Sequence, residues 1–117
     1  MSADLVEYIF EILSDNKAED ISVLEVTDQI GLTDYFIIAS SQSRPHLSFL
    51  NREVKQKVKQ QRETQPLARE GNADGGWLII DYGSVIVHLF LPETRAYYNL
   101  EGLWADAPRL ESQYLKT

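Results

Sequence analysis

The chain has 117 residues, contains no cysteine and carries a formal net charge of −7 at neutral pH. This length suits one domain with a hydrophobic core, and the lack of cysteine excludes disulfide bonds, thiol nucleophiles and thiolate metal sites. The acidic balance disfavours a protein that holds nucleic acid mainly by neutralising phosphates, whereas it is compatible with a basic protein partner or with solubility alone.

The N-terminal part of the chain predicts one helix followed by two strands. Apolar residues recur at helical spacing over residues 4–14, as in an amphipathic helix that covers a core or, alternatively, binds a partner. Residues 21–26 alternate as a strand does, and residues 35–39 form an uninterrupted apolar run. Such a run is typical of a strand that is covered on both faces.

A long basic helix is predicted next. Ser43 can cap its N-terminus, and Pro45 suits its first turn. The apolar positions of this helix form one stripe, which consists of Leu47, Leu50, Val54 and Val58. Much of the remaining surface is basic, with Arg52, Lys55, Lys57, Lys59 and Arg62. This basic surface can contact RNA phosphates, or it can simply be solvated.

A β-hairpin is the strongest local signal in the sequence. Two apolar runs, residues 77–82 and 85–91, flank the Gly-Ser pair at residues 83–84. A two-residue loop with glycine first fits a type II′ turn, which matches the twist of paired strands. The register that follows places Asp81 diagonal to His88, within side-chain reach.

Two short helices are predicted after the hairpin. Pro92 suits the first turn of one helix, and this helix places Arg95 and Tyr98 on the same face. Asn99 can cap the second helix, over residues 100–104.

These elements predict an α/β fold with a mixed sheet of about five strands and flanking helices. A short edge strand over residues 67–70 completes a strand–helix–strand unit that spans residues 35–70 and requires a parallel crossover. We expect one domain over residues 1–107. Residues 108–117 are expected to form a tail that is packed or frayed.

The sequence lacks the patterns of metal and nucleophile chemistry. It has two histidines, His46 and His88, and neither has the spacing of a zinc site. His88 near Asp81 could act as a general base, but no nucleophile accompanies the pair, since Ser84 lies in the turn. The pair can instead fix the hairpin or contact a partner, and His46 is expected to be exposed. We therefore expect no catalytic residue and no metal ligand.

Phosphate transfer and membrane insertion are not indicated either. The sequence has no P-loop or dinucleotide-binding motif. The Gly-Ser pair at residues 83–84 is similar to that of nucleotidyltransferases, but the clustered acids that would hold magnesium are missing. No apolar run approaches the roughly 20 residues that span a bilayer, and the acidic N-terminus is unlike a signal or transit peptide. We expect a cytoplasmic protein without a cofactor.

The side chains that remain suit recognition. Trp, Tyr and Arg are enriched in binding hot spots because they bury large areas and keep polar tips. The last third of the chain supplies Trp77, Tyr82, Arg95, Tyr97, Tyr98 and Trp104. Some aromatic residues must be core, and we expect this of Phe90, Tyr97 and Trp104. The better contact candidates are Asp81, Tyr82, Arg95, Tyr98 and Glu101.

Several blocks of the sequence, taken in order, resemble one known family. After Asp20-Ile21 these blocks are TDYFIIASSQSRPH (33–46), REG (69–71), WLIIDYGSVIVHLF (77–90) and RAYYNLEGLW (95–104). Together they resemble the ribosomal silencing factor family, also called Iojap-like, over residues 4–107. The combination is specific, whereas any one block alone would be weak.

The resemblance implies a nucleotidyltransferase-like α/β fold that lacks the catalytic acids, and hence a protein that is not an enzyme. It implies binding to large-subunit protein fourteen on the face of the large ribosomal subunit that meets the small subunit. A factor seated there blocks subunit joining and represses translation when nutrients are scarce. Minor contacts to ribosomal RNA phosphates would come from the basic helix, and free copies of family members can form homodimers.

The family's characteristic positions add to the list of expected contacts. Matched motif by motif, they are Asp81, Tyr82, His88, Arg95, Tyr98, Leu100 and Glu101. With Trp77 from the recognition group, these residues form the expected partner-binding set. Two alternative functions remain open at this point: a nucleotidyltransferase-like enzyme, and a homodimeric adaptor that uses the same aromatic surface on itself.

Overall fold

The computed structural model describes residues 2–27 and 33–114. Its elements follow the predicted order of helix, two strands, long helix, three strands and short helices. They are α1 (Ser2–Asp15), β1 (Glu19–Glu25), β2 (Tyr35–Ser40), α2 (Arg44–Arg62), β3 (Ala68–Asn72), β4 (Trp77–Asp81), β5 (Val85–Phe90), α3 (Pro92–Tyr98), α4 (Leu100–Leu103) and a 3₁₀ turn (Glu111–Gln113).

The five strands form one mixed sheet in the order β1-β2-β5-β4-β3. β2 and β5 are parallel, and the other neighbouring pairs are antiparallel. The connection from β2 through α2 therefore passes two strands before β3 joins the far edge of the sheet. The predicted α/β class and the five-stranded mixed sheet are confirmed.

The hairpin of β4 and β5 has the register that the position of the Gly-Ser pair predicts. Ile80 pairs with Val87, and the pairing continues outward to the ends of both strands. The turn is tighter than the type II′ turn that the sequence suggests. Gly83 has a φ of 85°, and the Ser84 N–H donates to the carbonyl of Tyr82 at 3.1 Å. This bond spans one residue fewer than the hydrogen bond of a β-turn.

Helices α1 and α2 cover one face of the sheet, which we call the helix-covered face. The predicted stripe of α2, from Leu47 to Val58, is fully buried. Its N-terminus is capped as expected, because the Ser43 hydroxyl accepts a hydrogen bond from the His46 N–H at 3.2 Å. The helices and the inward side chains of the strands form the larger of two apolar clusters.

The opposite face of the sheet has a smaller apolar cluster, and we call it the aromatic face. Phe36, Ile38 and Phe90 are buried there, with Trp77 and Trp104 packed at the margin. Because β2 contributes Ile37 and Ala39 to the other cluster, it is covered on both faces, as the apolar run predicts. The short helices α3 and α4 cover only part of this face.

The described part of the tail, up to residue 114, packs against β1. The Glu25 N–H donates to the carbonyl of Pro108 at 2.9 Å, and the Leu110 N–H donates to the carbonyl of Val23 at 2.8 Å. The tail therefore shields the outer edge of β1, while β3, exposed at every position, forms the opposite edge. Residues 115–117 of the expected tail lie outside the described residues.

Candidate functional site

The expected contact residues lie in several different places. Trp77, Tyr98 and Leu100 are on the aromatic face, and Asp81 is in the hairpin turn. The others lie beneath or beside that surface: His88 is buried under Trp77, Tyr82 is on the helix-covered face, and Arg95 and Glu101 join a polar network.

A group of partly and fully exposed rings in mutual contact dominates the aromatic face, and we call it the aromatic patch (Trp77, Tyr97 and Tyr98). The Trp77 ring lies 5.0 Å from that of Phe90 and 4.7 Å from that of Tyr98, between centroids. Tyr97 meets Tyr98 edge-on at 5.1 Å. The patch therefore rests on the buried Phe90 and is open to solvent above it.

Tyr97 corrects one expectation. We expected it to be core, but 82% of its surface is exposed, compared with 47% for Tyr98. Helix α3 has seven residues and buries none of them fully, so its outer side has no element to pack against. Phe90, in contrast, is fully buried as expected, and Trp104 is partly buried against Phe36.

His88 supports Trp77 from below. The Trp77 Nε1–H donates to His88 Nδ1 at 3.1 Å, and the Phe36 ring packs edge-to-face with the imidazole, with 4.8 Å between the ring centroids. Burial lowers the pKa of His88 to about 4, so the ring is neutral at physiological pH. An accepting Nδ1 in a neutral ring places the proton on Nε2, which has no partner among the described residues.

The expected pairing of His88 with Asp81 is wrong. Asp81 Oδ1 instead accepts a hydrogen bond from the Gly83 N–H at 2.7 Å, which fixes the turn. A backbone donor two residues away is held close by the chain itself, and short polar side chains commonly use such donors. Asp81 remains partly exposed at the tip of the hairpin.

Tyr82 lies on the other side of the sheet from the aromatic patch. It belongs to the larger cluster under α1 and α2 and is only 8% exposed. Burial raises the pKa of Tyr82 to about 12, and its hydroxyl has no partner among the described residues. In this structure Tyr82 is a core residue.

Arg95 and Glu101 form the centre of a polar network that ties α3 and α4 to the sheet. Arg95 Nε donates to Glu101 Oε1 at 2.9 Å, and the other guanidinium nitrogens donate to the hydroxyls of Ser40 at 2.8 Å and Ser22 at 3.1 Å. The Ser22 hydroxyl donates to Glu101 Oε2 at 2.7 Å. Both serines are buried, so the network is anchored inside the sheet.

The tail completes this network. Arg109 donates to the Ser22 hydroxyl at 2.8 Å and forms an ion pair with Glu111 at 3.1 Å. Burial alone would raise the pKa of Glu101, but hydrogen bonds from Arg95 and Ser22, with the charges of Arg95 and Arg109, hold it below its ordinary value. The carboxylate is therefore stabilised in its charged form.

Ser22, Ser40 and Arg109 were missed by reasoning from the sequence. The only signal available was a pair of serines, each next to apolar residues, at inward-facing positions of β1 and β2. Such positions require hydrogen-bonding partners when they are buried, but the partners here lie 55 or more residues away along the chain.

His46 also differs from expectation, because it is partly buried and bonded at both ring nitrogens. Its Nδ1 lies 2.6 Å from the Ser41 hydroxyl, and its Nε2 lies 2.8 Å from the carbonyl of Asn16. The loop after α1 returns to the start of α2, and His46 joins the two. It therefore has a structural role.

Among residues 2–27 and 33–114, no group of three His, Asp or Glu side chains could hold a metal ion. No helix in these ranges is both long enough and apolar enough to cross a membrane. The candidate site is a surface of aromatic rings beside a buried polar network.

Comparison with known proteins places this chain in a family. The family described as "Ribosomal silencing factor during starvation" matches residues 1–117. The chain is 35% identical to Ribosomal silencing factor RsfS of Halalkalibacterium halodurans, over 92% of each sequence. It is 37% identical to Mitochondrial assembly of ribosomal large subunit protein 1 of Mus musculus, over 85% of this chain and 44% of the mouse protein.

Solved structures agree with the fold. A crystal structure of a Chromobacterium violaceum protein is 30% identical and superposes with a TM-score of 0.85, covering 90% of this chain and 87% of that one. A Bacillus halodurans structure is 32% identical with a TM-score of 0.77, covering 92% and 96%. The match along the whole sequence and the shared fold lead to one conclusion: the chain belongs to the ribosomal silencing factor family.

Proposed function

We propose that this protein binds the large ribosomal subunit on the face that meets the small subunit, chiefly through large-subunit protein fourteen. Seated there, it excludes the small subunit by steric overlap and so represses translation when nutrients are limiting. Membership of the family supports this proposal, as does the mouse relative, whose name refers to assembly of the large subunit. These names describe silencing and assembly rather than a reaction.

The exposed aromatic patch is the observation that carries the proposal. Tyr97 and Tyr98 expose large rings, and Leu103 nearby along the chain is 69% exposed. Aromatic rings with polar tips are among the side chains most enriched at binding hot spots, and rings that already pack against one another lose little conformational freedom on binding. A rigid patch of this kind suits a protein partner.

The expected contact set divides by burial into two roles. Trp77, Tyr98 and Leu100 on the aromatic face, with Asp81 at the hairpin tip, are the residues that can touch a partner. The others support them from within the fold: His88 orients Trp77, the pair of Arg95 and Glu101 holds α3 and α4 in place, and Tyr82 packs the core on the other side.

Charge supports a basic protein partner. The chain has 18 acidic and 11 basic residues, so its overall field attracts positively charged surfaces. Association driven in this way weakens as salt screens the charges. An affinity for large subunits that rises with salt would contradict this part of the proposal.

Co-sedimentation with purified large subunits tests the proposal. Tyr98→Ala removes an exposed ring of the patch, and we expect at least about tenfold weaker association with little change in thermal stability. Leu67→Ala is the matched control, because Leu67 is also exposed, at 76%, but lies beside β3. The wild-type protein should also prevent added small subunits from joining.

Four outcomes would contradict the proposal. The wild-type protein could fail to sediment with large subunits, or Tyr98→Ala could bind as well as Leu67→Ala. Turnover of a nucleoside triphosphate with magnesium would favour a nucleotidyltransferase-like enzyme instead. A homodimer that persists with excess large subunits would favour the adaptor, whereas a homodimer that dissociates on binding is compatible with the proposal.

A further inference from the structure

A groove on the helix-covered side of the molecule has a different character from the aromatic patch. It lies between α2 and the start of β3 and has a volume of about 420 Å³. Four cationic side chains and no carboxylate are found among its lining residues, which are Arg52, Lys55, Gln56, Lys59, Gln65, Pro66 and Arg69. We call this cavity the basic groove and define it by its four cations (Arg52, Lys55, Lys59 and Arg69).

The basic groove is not neutralised by any ion pair with the carboxylates that the structure describes. In the part of the chain that the structure describes, none of its four cations forms an ion pair with a carboxylate. Lys57 on the same helix behaves differently, because it pairs with Glu53 at 3.1 Å. Positive charge is thus concentrated in one groove of a protein whose net charge is −7.

Lys55 is affected both by its burial and by the neighbouring positive charges. Burial lowers the pKa of Lys55, and the positive charges of Arg69 and Arg52 lower it further. A bound anion would relieve this repulsion. Gln56 and Gln65 in the same groove add neutral amide groups that can also donate hydrogen bonds to an anion.

The cations are arranged as a row. Arg52, Lys55 and Lys59 are spaced three and four residues apart, so they lie on one side of α2. The row extends about 10 Å along the helix axis, and Arg69 of β3 faces it across the groove. This length exceeds one phosphate group and favours several phosphates in succession.

We propose that the basic groove binds the phosphate backbone of RNA. The identification of RNA as the source of the phosphates rests on the proposed function, since the large ribosomal subunit presents RNA beside its proteins. The groove is on the opposite side of the sheet from the aromatic patch, so the two surfaces would contact different components of the subunit. Phosphate contacts of this kind fix orientation without reading base sequence.

Binding of a short fluorescein-labelled oligouridine to the full chain tests the proposal by fluorescence anisotropy. Four phosphate contacts on a single strand predict a slope of about −2.8 for the logarithm of the binding constant against the logarithm of salt concentration. The double variant Lys55→Gln/Lys59→Gln should reduce this slope to about −1.4 and weaken binding at low salt. Lys57→Gln removes a lysine of the same helix outside the groove and should bind like the wild type.

Several results would overturn the proposal. The wild-type chain could show no binding at low salt, or Lys57→Gln could weaken binding as much as the double variant. If inorganic tripolyphosphate binds as tightly as the oligouridine, the groove is a site for a compact polyphosphate and not for an RNA strand. Sedimentation of the wild type with large subunits is scored separately, so failure of the groove is distinguished from failure of the proposed function.

Discussion

The two faces of the sheet are closed in different ways. The helix-covered face is sealed by two helices whose buried stripes meet strand side chains that are almost all aliphatic. The aromatic face is covered by two short helices, which are held by the network of Arg95, Glu101 and buried serines. Aliphatic packing is non-directional, whereas a hydrogen-bonded network requires each partner in place.

Because of this difference, most residues that stabilise the fold are on one face, and the aromatic residues available for recognition are on the other. On the helix-covered face nearly every apolar side chain is used to fill the core, so little remains for a partner outside the basic groove. On the aromatic face the polar network fixes the short helices to the sheet without burying the aromatic side chains of α3. Tyr97 and Tyr98 are therefore left exposed on a rigid support. The predictions below test this separation.

Removal of Arg95 is expected to have the largest effect on this separation. Arg95 lies on the aromatic face, yet its loss should lower the stability of the fold. Arg95→Ala leaves Arg109, at 3.6 Å, as the one cation paired with Glu101 among the described residues, and it leaves the Ser40 hydroxyl without the donor Arg95. Loss of one partner of a partly buried ion pair costs about 3 kcal/mol of unfolding free energy. Urea denaturation measures this loss.

Glu93→Ala is the control for Arg95→Ala, because Glu93 is exposed on the same helix. We expect it to change the unfolding free energy by less than about 0.5 kcal/mol. A similarly small loss for Arg95→Ala would show that the network is not what holds α3 and α4 on the sheet.

Acidification should weaken the aromatic face next. Burial lowers the pKa of His88 from 6.5 to about 4 in the folded protein, so the unfolded chain binds more protons between these values. The unfolding free energy therefore falls as pH drops from about 6.5 to about 4, by up to about 3 kcal/mol. Glu101 adds a further loss of unfolding free energy at lower pH. Its pKa is lowered in the folded protein, so the unfolded chain binds this proton more readily.

Urea denaturation at a series of pH values measures this effect, and His88→Phe separates the two groups. The substituted side chain would keep a ring between Phe36 and Trp77 but would not titrate, so the loss between about pH 6.5 and 4 should disappear. The loss at lower pH, which comes from Glu101, should persist. An unchanged profile in His88→Phe would place the titrating group elsewhere.

Local features of this fold could be predicted from the sequence. The hairpin register followed from the position of the Gly-Ser pair and the alternation on either side of it, and the cap of α2 followed from Ser43. Each of these depends on residues that are close along the chain. The mixed sheet followed because a strand–helix–strand unit and a hairpin leave few ways to pair the strands.

The arrangement of the candidate site could not be predicted in the same way. His46 bonds to a carbonyl 30 residues away, and Arg95 bonds to Ser22 across 73 residues, so neither pairing leaves a local pattern. The sequence predicts a pair of Asp81 and His88 because the cross-strand distance alone allows it. Asp81 instead accepts a hydrogen bond from the nearer Gly83 N–H, because the turn holds this donor in place.

The smallest expected effect concerns the hydrogen bond from Trp77 to His88. Trp77→Phe keeps a ring against Phe90 and Tyr98 but removes the Nε1–H donor, so we expect a loss of about 1 kcal/mol of unfolding free energy. Trp104→Phe is the control, because it replaces an indole on the same face with a smaller ring and removes no hydrogen bond between described residues. The difference between the two variants reports the contribution of the bond.

The same pair of variants tests which contact orients the Trp77 ring in the aromatic patch. If His88 sets the angle of the ring at position 77, Trp77→Phe should release the preference of His88 for the Nε2–H tautomer, which nitrogen-15 NMR detects. It should also weaken binding to large subunits more than Trp104→Phe does. Equal binding by both variants would mean that stacking on Phe90 alone orients the patch, and that His88 contributes to stability but not to recognition.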